Sequence, residues 1–181
     1  PRVRENADAH PALPVLPWRP FHNCAGEIMY KHILVAVDDS ATSVKALGEA
    51  AAIARQHGAR LEIVHAVNEV PFRAFGHYGG NALGSSDAVR QTMEQEGAEI
   101  LGQAAAQVDL EGVECTQRVL HSESSHADEQ IAEVVAATGT DLLVVGSHGR
   151  RGVQHLLLGS VAERLLRKVA VSVLIVRGNP A

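Results

Sequence analysis

From Asp141 to Val176 the chain sets out a strand, a glycine-rich loop, a helix and a second strand without interruption. Asp141-Leu-Leu-Val-Val145 is a short run of Leu and Val, and Val171-Ser-Val-Leu-Ile-Val176 is another. A parallel strand covered on both faces is apolar almost throughout, and both runs fit that pattern. Between them, Val161, Ala162, Leu165, Leu166 and Val169 recur at the one-face spacing of a helix, with Glu163, Arg164, Arg167 and Lys168 opposite. The order predicts parallel strands joined through a helix, which confines the chain to an α/β fold.

The loop carries the chemistry. Gly146 follows the first of these strands directly, so the chain can turn there and a ligand can approach the backbone. Gly159-Ser160 stands where the helix begins, and the unpaired N–H groups of a first helical turn suit phosphate. Arg150 and Arg151 bring positive charge, and residues Arg150 to Leu158 are long enough to span a di- or triphosphate. The same residues also fit a plainer role, with Ser160 a helix cap and Gly149 and Gly152 ordinary loop glycines.

The spacing Gly146-x2-Gly149-x9-Gly159-Ser160 resembles the nucleotide-binding signature of the universal stress protein family, G-x2-G-x9-G-[ST]. Met29-Tyr-Lys-His-Ile-Leu-Val-Ala-Val-Asp38-Asp-Ser40 resembles that family's first strand and acidic turn. The likeness runs over roughly residues 29 to 177. It implies the ATP-binding branch, with ATP (or ADP or AMP) bound and Mg²⁺ or Mn²⁺ carried on the phosphates. On the matching positions it implies Asp38 against the adenine, flanked by Ala36 and Val37, with Ala66 contacting the ring through its backbone. It further implies Val145, Gly146, His148, Gly149 and Arg150 along the nucleotide, and Gly159, Ser160 and Val161 at the phosphates. The resemblance also implies a cytoplasmic regulatory module that homodimerises through its last strand, with no catalytic residue. Two alternatives stay open: an ATP-using enzyme of low turnover, and a nucleotide-free dimeric scaffold. His121-Ser-Glu-Ser-Ser-His126 departs from the family, which usually has a glycine and often a proline there.

The remaining residues agree with a single domain over 29–181. His32–Val37 reads as the first strand, ending at Asp38-Asp39-Ser40, and Thr42–His57 as a helix with Val44, Leu47, Gly48, Ala51 and Ala54 on one face. Gly58 sits in the helix-ending position. A carboxylate at Asp38 can accept a hydrogen bond from an amino group such as that of adenine, though one of Asp38, Asp39 and Ser40 is expected to cap the helix. Leu61–Val67 is the second strand, with His65 a core or strand-end histidine. A glycine-containing loop spans Asn68–Ser86, and a helix runs from Asp87 to about Val108. Val113–Leu120 is the third strand, and Asp128–Thr138 the next helix, ended by Gly139. Five strands alternating with four helices predict a three-layer, Rossmann-like (adenine nucleotide alpha hydrolase-like) sandwich on a parallel sheet of order 3-2-1-4-5. That order puts Asp38 and Gly146 on one crevice, at the switch point between strands one and four.

Composition narrows the function. Net charge is −5 with no basic block, and aromatics are 3%, so nucleic acid is an unsuitable partner. Cys24 and Cys115 form no CxxC pair, which fits a reducing cytosol better than a disulfide framework. No apolar run reaches the ~20 residues that span a bilayer. There is no G-x-x-x-x-G-K-[ST], no G-x-G-x-x-G after the first strand and no G-x-S-x-G. Residues 1–28, with Pro11, Pro14, Pro17 and Pro20 at three-residue spacing, read as an extended or disordered extension.

Overall fold

The computed structural model describes residues 29–68, 86–110, 112–122, 125–149 and 158–178. The extension over 1–28, most of the 68–86 loop, Arg150 and the rest of the loop up to Leu157 lie outside the described residues. In chain order the elements are β1 (His32–Ala36), α1 (Ala41–His57), β2 (Arg60–Asn68), α2 (Ser86–Leu110), β3 (Cys115–Ser122), α3 (Ala127–Thr138), β4 (Leu142–Gly146), α4 (Ser160–Lys168) and β5 (Ser172–Val176). Every strand pair is parallel, and the sheet order is β3-β2-β1-β4-β5. This is the predicted architecture.

Alternation along the strands divides the core in two. On one face Ile33, Val35, Leu61, Ile63, Leu142 and Val144 meet Ala46, Leu47, Ala50, Ala51 and Ala54 of α1 and Leu101, Ala104 and Val108 of α2. On the other, Leu34, Val64, Leu143 and Val145 meet Ile131 and Val135 of α3 and Ala162 and Leu165 of α4. Because both faces are covered, β1 and β4 need apolar residues at consecutive positions, which is why they carry no polar alternation. Gly58 and Gly139 end α1 and α3 at φ 62° and 67°, the left-handed conformation that favours glycine.

Two helices sit differently from their sequence pattern. In α1 the sheet takes the small residues, and Val44 is 50% exposed while Gly48 faces outward. An alanine-rich helix carries several nearly equivalent apolar stripes, and the one that lets α1 approach the sheet closely wins. In α4 Val161 and Leu166 are exposed, so Ala162 and Leu165 alone are fully buried. Val169 is half-buried against the same cluster.

The amino ends of the strands are tied by polar groups. Asp141 accepts from the Lys31 backbone N–H at 2.9 Å. His32 Nε2 lies 3.2 Å from Glu62 Oε2, and Arg118 lies 2.9 Å from Glu62 Oε1. His32 and Glu62 are buried, and a buried carboxylate is tolerated only when paired in this way.

Leu47 and Val44, both on the expected face of α1, differ in burial, the first covered and the second 50% exposed. Leu47→Ala is expected to cost about 2–5 kcal/mol in urea unfolding, as a cavity in a packed core does. Val44→Ala is expected to stay within about 0.5 kcal/mol of wild type, as a surface change does.

Candidate functional site

β1 and β4 are hydrogen-bonded neighbours, with Leu34 opposite Leu143 and Ala36 opposite Val145. The helices that follow them leave on opposite faces of the sheet. Their carboxyl ends therefore part, and the turn after β1 faces the loop after β4 across the gap.

Hydroxyls build the β1 side of this gap. Ser40 caps α1, its Oγ accepting from the Ser43 N–H. Ser40 also donates to Asp38 Oδ1, through its N–H at 3.0 Å and through Oγ at 2.5 Å. The Asp38 N–H donates to Ser43 Oγ at 2.8 Å. His65 Nδ1 donates to the Val37 carbonyl at 2.8 Å, so the strand end just before Asp38 is anchored from β2. The Val37 N–H donates to the Val64 carbonyl, and both backbone groups of Val37 are thus engaged within the sheet. Ala36 and Ala66 are half-buried beside the second cluster at the ends of their strands.

The β4 side is backbone. Thr42 Oγ1 donates to the His148 carbonyl, bridging α1 to the loop. The Ser147 N–H donates to the Val176 carbonyl and the Gly159 N–H to the Ser147 carbonyl, each at 2.7 Å. The loop is thereby pinned to β5 at one point and to the start of α4 at another. Val145 is buried, Gly146 and His148 are half-buried, and Gly149 is exposed. The His148 ring nitrogen Nδ1 lies 3.1 Å from Ser147 Oγ.

The glycines matter here through closeness, not through backbone angle: among the described residues only Gly58, Gly112 and Gly139 have positive φ. A Cβ on Gly149 would lie 2.5 Å from Asp38 Oδ2. One on Gly159 would lie 3.1 Å from the Ser147 carbonyl oxygen, and one on Gly146 would lie 3.2 Å from Thr42 Oγ1. Gly159 is also the N-cap of α4 and offers no side chain to the first-turn N–H groups; Ser160 and Val161 follow it, both exposed.

Of the residues singled out from sequence, Asp38, Gly146, His148, Gly149 and Gly159 are brought together at this gap. Asp38 and Gly149 touch across it, Gly146 and His148 meet Thr42, and Gly159 closes on Ser147. Arg150 lies outside the described residues. Ser40 takes the cap expected of Asp38, Asp39 or Ser40, while Thr42, Ser43 and Ser147 do structural work here that the sequence reading did not assign. The hydroxyl-rich run Asp38-Asp-Ser-Ala-Thr-Ser43 was their signal, although one capping residue alone accounts for such a run.

Comparison with known proteins decides the lineage. The universal stress protein family model matches residues 29–177. This chain belongs to the universal stress protein family. Universal stress protein MJ0531 of Methanocaldococcus jannaschii is 30% identical over 152 residues, covering 84% of this chain and 85% of that one. A universal stress protein family member from Burkholderia pseudomallei superposes with a TM-score of 0.63 at 28% identity, over 84% of this chain and 98% of that one. A universal stress protein solved in complex with cAMP superposes with a TM-score of 0.59 at 26% identity, over 82% of this chain and 97% of that one.

Close approach makes a testable distinction among glycines. Gly149→Ala is expected to cost about 1–3 kcal/mol in urea unfolding, because the new methyl must displace the Asp38 carboxylate. Gly102→Ala, inside α2 with nothing within 4 Å of its Cβ, is expected to stabilise by about 0.5–1 kcal/mol.

Proposed function

We propose that this universal stress protein binds an adenine nucleotide, ATP in the first instance, in the crevice between β1 and β4 and acts as a nucleotide-dependent regulatory module. The observation that carries the proposal is the meeting of two unlike recognition elements at one gap. On one side Asp38 is held by Ser40 and Ser43, ready to accept from the adenine amino group. On the other, the glycine-capped start of α4 presents first-turn N–H groups to an anion. Ser160 and Val161 extend the phosphate end, to which the resemblance adds Arg150, a residue outside the described ones. Ala36, Val37 and Ala66 line the adenine end, and Val145, Gly146, His148 and Gly149 the middle. The relative in complex with cAMP supports an adenine ligand in this fold. Mg²⁺ or Mn²⁺ would ride on the phosphates, whose oxygens suit hard cations.

Binding, with slow hydrolysis at most, fits the site better than rapid turnover. The sequence carries no G-x-x-x-x-G-K-[ST] and no G-x-S-x-G, motifs that accompany nucleotide hydrolysis and nucleophilic catalysis. The proposal carries a cytoplasmic location with it, as the resemblance implies.

Nucleotide extracted from the purified, heat-denatured full-length chain is expected to be adenine nucleotide, and calorimetry is expected to show ATP binding. Asp38→Asn is expected to weaken ATP about 10- to 100-fold, the scale of a hydrogen bond to a charged group. It should also erase preference for ATP over inosine triphosphate, which carries an acceptor where adenine carries the amino donor. No retained nucleotide and no calorimetric response to millimolar ATP would refute the proposal, and sustained hydrolysis at many turnovers per second would replace it with an enzyme.

We further propose a homodimer through β5. Val173, Leu174 and Ile175 are only half-buried on this edge strand, and an apolar edge with unpaired backbone groups favours pairing with a second copy. Sedimentation equilibrium is expected to give twice the chain mass of 19.2 kDa. A species of the single-chain mass at every concentration would exclude it.

A further inference from the structure

α4 spans nine residues, too few to hold a helix together in water without outside support. Its two buried side chains, Ala162 and Leu165, give it a narrow footing on the sheet, and its glycine N-cap adds no side-chain bond. A second set of contacts lies along its length. Asp128, in the first turn of α3, is 1% exposed. Arg164 Nε approaches Asp128 Oδ1 at 3.0 Å, and Lys168 Nζ approaches Asp128 Oδ2 at 2.6 Å. Lys168 Nζ also lies 3.2 Å from Glu129 Oε1. Glu129 is itself fixed, its Oε2 accepting from the His126 N–H at 3.1 Å.

The Asp128 oxygens are covered, and they meet their cations at ion-pair distance without the alignment of full hydrogen bonds; the separations identify the pairing. Asp128 foremost, then Glu129, holds the Lys168 ammonium above its ordinary pKa. The His126 N–H first and Lys168 second hold the Glu129 carboxyl below its own. A carboxylate covered to this degree is costly unless paired, so the clasp resists movement of α4 relative to α3. Arg164 and Lys168 stand about one and two turns beyond Ser160, on the same short rod whose first turn faces the crevice.

We propose that Asp128 is a positioning residue for the phosphate end of the nucleotide site. By clasping Arg164 and Lys168 it fixes where the N–H groups at the start of α4 point, without touching the ligand. This inference rests on the adenine-nucleotide proposal above. Its consequence is specific: loosening the clasp disturbs recognition of phosphates and leaves recognition of the nucleoside alone.

The test compares ATP with adenosine by calorimetry on the full-length chain and on Asp128→Asn, which keeps the shape and removes the charge. The Kd for ATP is expected to rise about tenfold and that for adenosine by no more than about twofold. Lys168→Gln, which leaves the Arg164 contact in place, should shift ATP in the same direction by about threefold, and it carries the test if Asp128→Asn does not fold. Amide hydrogen exchange over residues 160–168 should quicken about tenfold in Asp128→Asn, with residues 41–57 unchanged. Equal weakening of ATP and adenosine, or unchanged ATP affinity, overturns the inference. If the wild-type chain binds neither ligand, the nucleotide proposal fails by itself. The exchange measurement then decides the clasp, and unchanged exchange in α4 overturns it.

Discussion

The pairing of β1 with β4 is the constraint on which the remaining structure depends. These two strands sit at the centre of the sheet, buried on both sides and parallel to each other. Both chains emerge at the same edge of the sheet, and there they must turn toward opposite faces. α1 crosses behind Ile33 and Val35, while α4 crosses in front of Leu143 and Val145. A crevice at that edge is therefore a consequence of topology, present before any side chain gives it chemistry. It is also where the N-termini of α1 and α4 point, so whatever enters meets the positive ends of helices.

A gap of this kind has to be kept from collapsing and from spreading. Thr42 to His148 ties its two banks, and Ser147 to Val176 fixes the β4 bank to β5. Glycine at 149 and 159 lets those banks come as close as the ties require, since either Cβ would run into an oxygen of the facing segment or of the loop itself. The signature glycines thus have a role in the protein alone, ahead of any ligand. The amino ends of the strands are handled differently: Asp141, His32, Glu62 and Arg118 tie them together with paired polar groups.

Much of this was readable from the residues, for identifiable reasons. A continuous apolar strand such as Ile33-Leu-Val has one sensible environment, so the sheet and its order followed from pattern and handedness. Gly58 and Gly139 ended their helices because left-handed backbone there excludes most other residues. The orientation of α1 was readable only in part: Leu47, Ala51 and Ala54 of the expected face are buried, and Val44 and Gly48 are not. Its sequence is so rich in alanine that Val44 drew the apolar stripe toward itself, whereas close packing selected Ser43, Ala46 and Ala50. In α4 the exposed Val161 and Leu166 misled for the same reason: periodicity shows a face, and only the neighbouring elements determine how much of it is covered. The hydroxyl lattice around Asp38 was hidden because Ser and Thr after a strand serve equally as caps, turn formers and bridges.

α4 is supported from the end away from the crevice. The Gly159 cap of α4 leaves the first-turn N–H groups without a capping side chain, at a cost of only a few tenths of a kcal/mol relative to Ser or Asp. Lengthening the buried stripe would restore that stability, but α4 has nine residues and a narrow contact with the sheet. Charge beyond the first turn is the remaining means. Arg167 and Lys168 in the last turn complement the helix dipole, and Arg167 pairs with Glu163 one turn back. Those exposed interactions are weak individually. The contact to Asp128 differs because one partner is almost wholly out of water. The main support of α4 beyond its buried stripe thus lies along the helix, away from its first turn.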